Sequence, residues 1–435
     1  MKNFLDTFFI VSLFVIAGAL LLYMPRISYF FTAFKKHKRY KNDRKNRFAV
    51  IVPARDESKI IEGCLKSLKK QTYDENLIDI YVVVNDSKDK TIKIAGGFDN
   101  VTTMVVKDQK CKGDALDGCL KVILEKSPDK YDAYLIVDAD NFATENLIEE
   151  FNNALASGRQ VFNAKKLIKN WQSKDMRKFR TFVSNCTSLT WANIDDMGNS
   201  YRSRHDRPIN TIGTGLMVRA DVIKDLNGWP FKCITEDYEL MMECIMKGYT
   251  SLYYPYARVY TEEALEHSMA NKRRIRWIKG YAQCSKKYKK EIKLKGAGDK
   301  ALKRRSTEFL YGILPLVVLL VALLVPIVFY FILMCFYFVT GKGLAMQSLK
   351  FFLADFILIY TLFFIYTFIS MMVVRREMHI TFGEKLKMLF FNPLFLSEYI
   401  YIFINAYLTT DKMVWEQVER IPFEVEDFEE EEKYV

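Results

Sequence analysis

Leu135-Ile136-Val137-Asp138-Ala139-Asp140-Asn141 is an apolar run that stops abruptly at two carboxylates separated by one residue. Its length and composition are those of a buried strand. In an extended chain, residues i and i+2 point to the same side, so Asp138 and Asp140 could face one hard cation together. The same pattern also fits a strand end followed by an Asp/Asn turn. The surrounding chain has to decide between them.

Upstream, Arg47-Phe-Ala-Val-Ile-Val52 is a second short apolar run, ending at Pro53-Ala54-Arg55-Asp56-Glu57-Ser58. Apolar positions at Ile60, Ile61, Cys64, Leu65 and Leu68 predict a helix from about Glu57 to Gln71. Further strands are expected over Ile78 to Val84, before Asn85-Asp86-Ser87, and over Thr102 to Val106, with a helix starting near Gly113. Strands and helices alternating at roughly 30-residue spacing imply an α/β, mostly parallel sheet of βαβ units. Ligands bind beyond the carboxyl ends of such strands, and here those ends carry Asp56, Glu57, Asp86, Asp138 and Asp140. Any one of these acids could be surface decoration, but their repetition at equivalent ends is harder to dismiss. No G-x-G-x-x-G follows the first strand and no P-loop occurs, which disfavours a standard dinucleotide or ATP site.

Further along, Asn210-Thr-Ile-Gly-Thr-Gly-Leu-Met-Val-Arg219 places Gly213 and Gly215 around Thr214, which suits either close backbone approach to a ligand or a tight bulge. Asn227-Gly-Trp229 and Ile234-Thr-Glu-Asp-Tyr-Glu-Leu240 follow. Thr235 is expected as a helix N-cap, with Glu236 and Asp237 complementing the helix dipole. Their position soon after the glycines and Trp229 equally suits a substrate pocket. Asn271-Lys-Arg-Arg-Ile-Arg-Trp-Ile-Lys-Gly280 combines five cations with one tryptophan, as a head-group-binding amphipathic helix does. Alternatively, Arg276 contacts phosphate and Trp277 offers a flat face to a sugar ring.

Of the 435 residues 50% are hydrophobic and 14% aromatic, high for a soluble protein. The excess concentrates in Thr7 to Pro25, Phe309 to Val339, Phe351 to Val374 and Leu389 to Leu408, each long enough for a membrane span of about 20 residues. The first reads as a retained anchor rather than a signal peptide, because the apolar run continues past Ala17-Gly18-Ala19 to Tyr23 and a basic block follows. Basic blocks from Lys35 to Arg47 and from Lys286 to Arg305 flank the middle region and place it in the cytoplasm. They also account for the formal charge of +12 without invoking nucleic acid, since juxtamembrane lysines attract anionic lipid. Eight cysteines without a CxxC pair and four isolated histidines argue against a zinc site and fit reduced thiols. Asp355 and Glu398 interrupt apolar windows and are candidates either for a polar lumen or for pairing with neighbouring helices.

The ordered set Val52-Pro-Ala-Arg-Asp-Glu57, Asp86, Lys112-Gly-Asp-Ala-Leu116, Asp138-Ala-Asp140, Gly213-Thr-Gly215, Thr235-Glu-Asp237 and Arg276-Trp277 resembles the membrane-embedded family 2 glycosyltransferases, which include cellulose, chitin, hyaluronan and poly-N-acetylglucosamine synthases. The likeness covers about Phe48 to Gly280. It implies a GT-A fold and a nucleotide-sugar donor, usually a UDP-sugar, with UDP-GlcNAc or UDP-glucose the best guess. By this resemblance Pro53, Ala54, Glu57, Asp86, Lys112, Asp138 and Asp140 bind the donor, with Mg²⁺ or Mn²⁺ on Asp138 and Asp140. Asp237, with Glu236, is catalytic. Gly213, Thr214, Gly215, Trp229, Arg273, Arg276 and Trp277 serve the acceptor and the diphosphate. The family motif is Q-x-x-R-W, and Arg273 stands where Gln is expected, which bears on acceptor positioning and processivity.

The implied organisation is an anchor (1–30), a basic linker (31–46), a GT-A domain (47–267), an interfacial segment (268–307), two or three spans (308–410) and an acidic tail (411–435). Implied partners are the UDP-sugar, a glycan or lipid-linked acceptor, membrane lipid and an accessory export protein, but no nucleic acid. Single addition to a lipid acceptor is the nearer alternative. A transporter with a nucleotide-binding cytosolic domain is the remote one.

Overall fold

Phe48 to Val52 are each 0% exposed, so this run lies at the centre of a sheet covered on both faces, as uninterrupted apolar strands do. The computed structural model describes residues 2–86, 88–172, 179–296, 298–312, 314–341 and 343–409. Their strands are β1 (Phe48–Pro53), β2 (Ile78–Val84), β3 (Val101–Val105), β4 (Ala133–Ile136), β5 (Phe142–Ala143), β6 (Val161–Ile168), β7 (Leu216–Arg219) and β8 (Ser251–Thr261). They form one sheet in the order β3-β2-β1-β4-β7-β6-β8-β5.

The first half, β3-β2-β1-β4, is parallel throughout, with helices Ile61–Lys69, Thr91–Ala95 and Lys112–Lys126 in its crossovers. The second half is mixed: β7 runs antiparallel to β4 and β6, β8 parallel to β6, and β5 antiparallel to β8. Here the βαβ spacing that predicts parallel pairing is lost, because β4 reaches its neighbour β7 only after a long excursion through β5 and β6. Alternation along the strands sends Val50 and Leu135 into a core with Leu65, Leu68 and Phe151. Ile51 and Ile136 enter the opposite core with Leu116, Leu120 and Leu240.

Three local expectations are corrected. The first crossover helix starts at Ile61, not near Glu57, because Asp56 takes a left-handed φ of 59° and the Glu57 N–H donates to Thr91 Oγ1 at 3.0 Å. Thr235 makes no capping hydrogen bond; its side chain lies against Gly280, where an added Cβ would come within 2.4 Å of the threonine Oγ1. Trp229 is 1% exposed in the core with Leu116 and Phe231, so its bulk packs the fold rather than offering a face to a ligand.

Among the described residues four stretches are long and apolar enough to cross a membrane, Phe4–Ala33, Val317–Val339, Ala345–Val373 and Phe382–Ala406, and the chain is a membrane protein. The last is two consecutive helices, Phe382–Leu396 and Glu398–Leu408. At the junction Glu398 accepts from Arg274 at 2.9 Å and meets His267 at 2.6 Å, so it pairs with a neighbouring helix. Asp355 is 1% exposed, and neither of its carboxylate oxygens has a hydrogen-bond partner. The basic stretch after the first span is only partly free for lipid: Arg39, Arg44, Lys45 and Arg47 pair with Glu150, Asp132, Glu149 and Asp79. The acidic tail from residue 411 lies outside the described residues.

Candidate active site

Because β1, β2 and β4 are parallel and adjacent, their carboxyl ends form one edge, along which lie Pro53, Ala54, Glu57, Asp86 and Asp138. Ala54 N–H donates to Val83 O at 2.8 Å, tying the β1 loop to β2, while Asp86 is exposed just beyond β2.

β4 ends at Ile136, so Asp138-Ala139-Asp140-Asn141 is not extended chain: the Asn141 N–H donates to Asp138 O at 3.0 Å, closing a β-turn. The expectation that an extended backbone aligns the two carboxylates is thus replaced by a turn held from outside. Thr214 Oγ1 accepts from Asp138 N–H and from Asn141 Nδ2, each at 3.1 Å. Lys169 Nζ donates to Asp140 O at 2.7 Å. Among the described residues no group of three or more His, Cys, Asp and Glu side chains converges on a metal position. Two hard carboxylates remain, a set that suits Mg²⁺ or Mn²⁺ when substrate phosphates complete the shell.

Lys112, the first residue of its helix, projects into this edge. Its Nζ donates to Asp138 Oδ1 at 2.5 Å and to Gly213 O at 2.6 Å, and lies 3.6 Å from Glu236 Oε1. Gly213 leaves room for the lysine head: a Cβ would fall 2.8 Å from Lys112 Nζ, 3.3 Å from Glu236 Oε1 and 3.5 Å from Asp237 Oδ2. Gly215 has φ 57°, and its carbonyl accepts from Ala164 N–H at 2.7 Å. One ammonium, one glycine and the acids Asp138, Glu236 and Asp237 thus share one small volume.

Burial pushes the Glu236 carboxyl up to about 7; nearby Lys112 opposes the shift and Asp237 adds to it. Asp237 is raised in the same way, burial being the main cause, against the pull of Lys112. Lys112 is raised despite burial, because Asp138 and Glu236 favour its charged form. Carboxyls with raised proton affinity beside a cation and a cleft suit general acid–base work. Thr211 Oγ1 donates to Asp237 O at 2.6 Å, fixing the first turn of helix Glu236–Met246.

The cationic segment is one helix, His267–Lys295, with Ala270, Arg274 and Ile278 buried along a face, so part of its surface packs on protein rather than lipid. Trp277 meets Trp191 edge-on, centroids 5.3 Å apart. Trp191 Nε1 donates to Glu263, and Glu263 Oε1 lies 3.6 Å from Arg273, whose Nη1 also donates to Glu262 O at 3.1 Å. Arg276 sits beside Trp277 on this helix. The two groups of residues meet at Ile212-Gly213: Ile212 packs in the cluster holding Trp191 and Trp277, and Gly213 holds Lys112.

Sequence reasoning missed several supports. Asn163, 0% exposed, donates from Nδ2 to Ile212 O at 3.1 Å and accepts Ile212 N–H at 3.1 Å, suspending the glycine segment from β6. An asparagine between Phe162 and Ala164 in the apolar first half of β6 was the available signal. Asn141, Lys169, Trp191 and Thr211 carried no comparable local mark.

The family described as Glycosyl transferase family group 2 matches residues 134–374. A probable glycosyltransferase of Bacillus subtilis, YdaM, is 26% identical over 247 residues, 54% of this chain and 55% of that protein. A probable glycosyltransferase of Sulfolobus acidocaldarius is 21% identical over 204 residues, 46% of this chain and 42% of the other. The matches therefore span about half the length of these curated relatives. Among solved structures, a mannosyltransferase of Pyrobaculum calidifontis, in complex with GDP-Man and Mn²⁺, aligns over 93% of this chain and 98% of its own, with TM-score 0.56 and 16% identity. At that identity the likeness shows the fold, GT-A.

Proposed function

The chain belongs to glycosyl transferase family group 2 and is a glycosyltransferase, and from that premise we propose that it inverts the anomeric centre of a UDP-sugar, best UDP-GlcNAc or UDP-glucose, while extending a polysaccharide at the cytosolic membrane face. The observation that carries this reading is the acid pair of buried Glu236 and half-buried Asp237, raised in proton affinity, beside Lys112 and Asp138 at the carboxyl edge of the sheet.

In this reading Asp237 takes the proton from the acceptor hydroxyl as it attacks the sugar carbon, which a placed carboxylate accelerates typically by about 10²–10⁴-fold. Glu236 keeps Lys112 close to the reacting phosphate. Pro53, Ala54, Glu57 and Asp86 line the nucleotide end of the edge. Asp138 and Asp140 would hold Mg²⁺ or Mn²⁺, whose chemistry is to stabilise charge on the departing diphosphate. Trp277, braced by Trp191, offers the acceptor its flat face, with Arg276 beside it. The basic segments on either side of residues 47–267 support a cytosolic domain between the first span and the later ones.

A second reading, single addition to a lipid-linked acceptor, is favoured by the apolar wall in which Ile212, Trp191 and Trp277 join Met371, Val374 and Met378 at the end of a span. It is also favoured by Arg273, committed to Glu262 and Glu263 where the polymerase motif has Gln.

Purified protein in detergent, given a panel of UDP-sugars and GDP-mannose with Mg²⁺ or Mn²⁺, should release nucleotide from one donor, and gel sizing of labelled product should separate polymer from single addition. Asp237→Asn should lose about 10²–10⁴-fold in turnover with nucleotide affinity nearly kept. Substantial turnover by that variant would remove Asp237 as the base.

A further inference from the structure

Lys112 is held where a metal ligand would have to act. Its Nζ donates to Asp138 Oδ1 at 2.5 Å and to Gly213 O at 2.6 Å, with Glu236 Oε1 3.6 Å away, so two of its hydrogen bonds and a nearby charge are all supplied by protein oxygen. An ammonium is a compact point charge on a flexible stem, and it can satisfy one carboxylate oxygen as a cation does. It cannot share that oxygen with a dication, because two like charges a few ångströms apart in a partly dry site repel strongly.

The main chain at this position is fixed. A Cβ on the next residue, Gly113, would fall 2.0 Å from Phe231 O, so the helix start is pressed against a neighbouring loop and cannot recede. The side chain is the part that can move. Its side chain is 24% exposed, enough for the head to swing toward the cleft. Only a group with more negative charge than Asp138 can draw it there, and a diphosphate is such a group.

We propose that Lys112 is an exchangeable counter-ion that makes metal and nucleotide bind together: it occupies the cation position at Asp138 until a diphosphate withdraws it. This rests on the reading of the site as one for a nucleotide-diphosphate donor. Binding of either ligand alone then leaves a cost, a dication against an ammonium or a diphosphate against the bare carboxylates. Binding of both removes it. Lys112 contributes specificity for a diphosphate as a result, because a monophosphate has less charge with which to draw the ammonium off Asp138.

The test is Mn²⁺ binding by the full chain in detergent, read by the loss of the free-ion electron paramagnetic resonance signal, with and without UDP or GDP, each measured against the same Mn²⁺–nucleotide mixture without protein. Wild type should bind Mn²⁺ at least about tenfold more tightly with a nucleoside diphosphate than alone. Lys112→Met should bind Mn²⁺ alone about tenfold more tightly than wild type and lose most of the nucleotide dependence. Gly213→Ala keeps the charge but puts a methyl 2.8 Å from Nζ, displacing the flexible end of the lysine, and should also raise the affinity for Mn²⁺ alone. Unchanged or weaker Mn²⁺ binding in both variants overturns the proposal even if nucleotide still binds. If neither UDP nor GDP binds wild type in the presence of Mn²⁺, the donor reading itself fails, and the exchange with it.

Discussion

The two halves of the site are built differently. Asp138, Asp140, Lys112 and Thr214 stand on or next to the ends of sheet strands and a crossover helix, and most of their fixing hydrogen bonds go to backbone or to one another. Arg273, Arg276 and Trp277 stand on the helix His267–Lys295, which is located by Trp191, Glu263 and Glu398 from three other parts of the chain. The first half inherits its geometry from the sheet. The second depends on whether distant segments, including the end of a membrane span, are in place.

Substitutions on each side, and at the segment between them, test how separate the halves are. Asp138→Ala should abolish most metal-dependent nucleotide binding, a loss of about 10²–10⁴-fold if two charged contacts of about 1.5–3 kcal/mol each go, measurable by calorimetry with Mn²⁺ present. An unchanged affinity would mean that the donor half is not where the sheet edge puts it.

In the other half, Glu263 is 3% exposed at its side chain, so Arg273→Gln or Glu263→Gln alone leaves a buried charge unpaired and should cost up to about 3–5 kcal/mol. The double variant should recover part of that in thermal unfolding, and equal losses in all three would dissolve the pairing. Nucleotide affinity should stay near wild type throughout.

Asn163→Leu cuts the suspension of the segment that joins the halves and should lower stability by about 1–3 kcal/mol. It should also reduce turnover, since Gly213 positions Lys112 and Ile212 contacts the tryptophan cluster. A variant that loses stability but keeps full turnover would show the two halves to be coupled elsewhere.

The smallest effect concerns pH. Glu236 is raised from the ordinary 4.5 to about 7, so the fold favours its protonated form: the stabilisation is fully present below about 4.5 and is lost as pH rises through about 7. Glu236→Gln should therefore flatten the fall in melting temperature between those values. Turnover of wild type should rise with pH from the acid side, because burial raises the proton affinity of Asp237 and only its deprotonated form can accept a proton.

Much of the gathering of residues at the sheet edge was legible because its signals are local. An apolar run that ends in Asp-x-Asp, strands at regular intervals and glycines around Thr214 each report on their own neighbourhood. Even there the sequence left an extended end and a turn at Asp138 equally open, because the hydroxyl of Thr214 that holds the turn comes from 76 residues away. Trp229 misled for a related reason: a tryptophan after a glycine signals a pocket wall and a core residue equally well, and only burial tells them apart. Arg273 looked like a broken motif. In the fold it is one end of a chain that runs through Glu263 and Trp191 to Trp277, with no mark in sequence spacing.

By itself the sequence determined the α/β alternation, the apolar stretches long enough to span a membrane and the residue types gathered at the strand ends, because periodicity and hydrophobic length act over a few turns or one strand. Tertiary structure decided that half the sheet is mixed, that Asp138 is presented by a turn, that Lys112 lies among three acids and that Glu398 clamps the Arg274 helix. Each of these depends on contacts between segments far apart in the chain, and their geometry is set by packing rather than by local pattern.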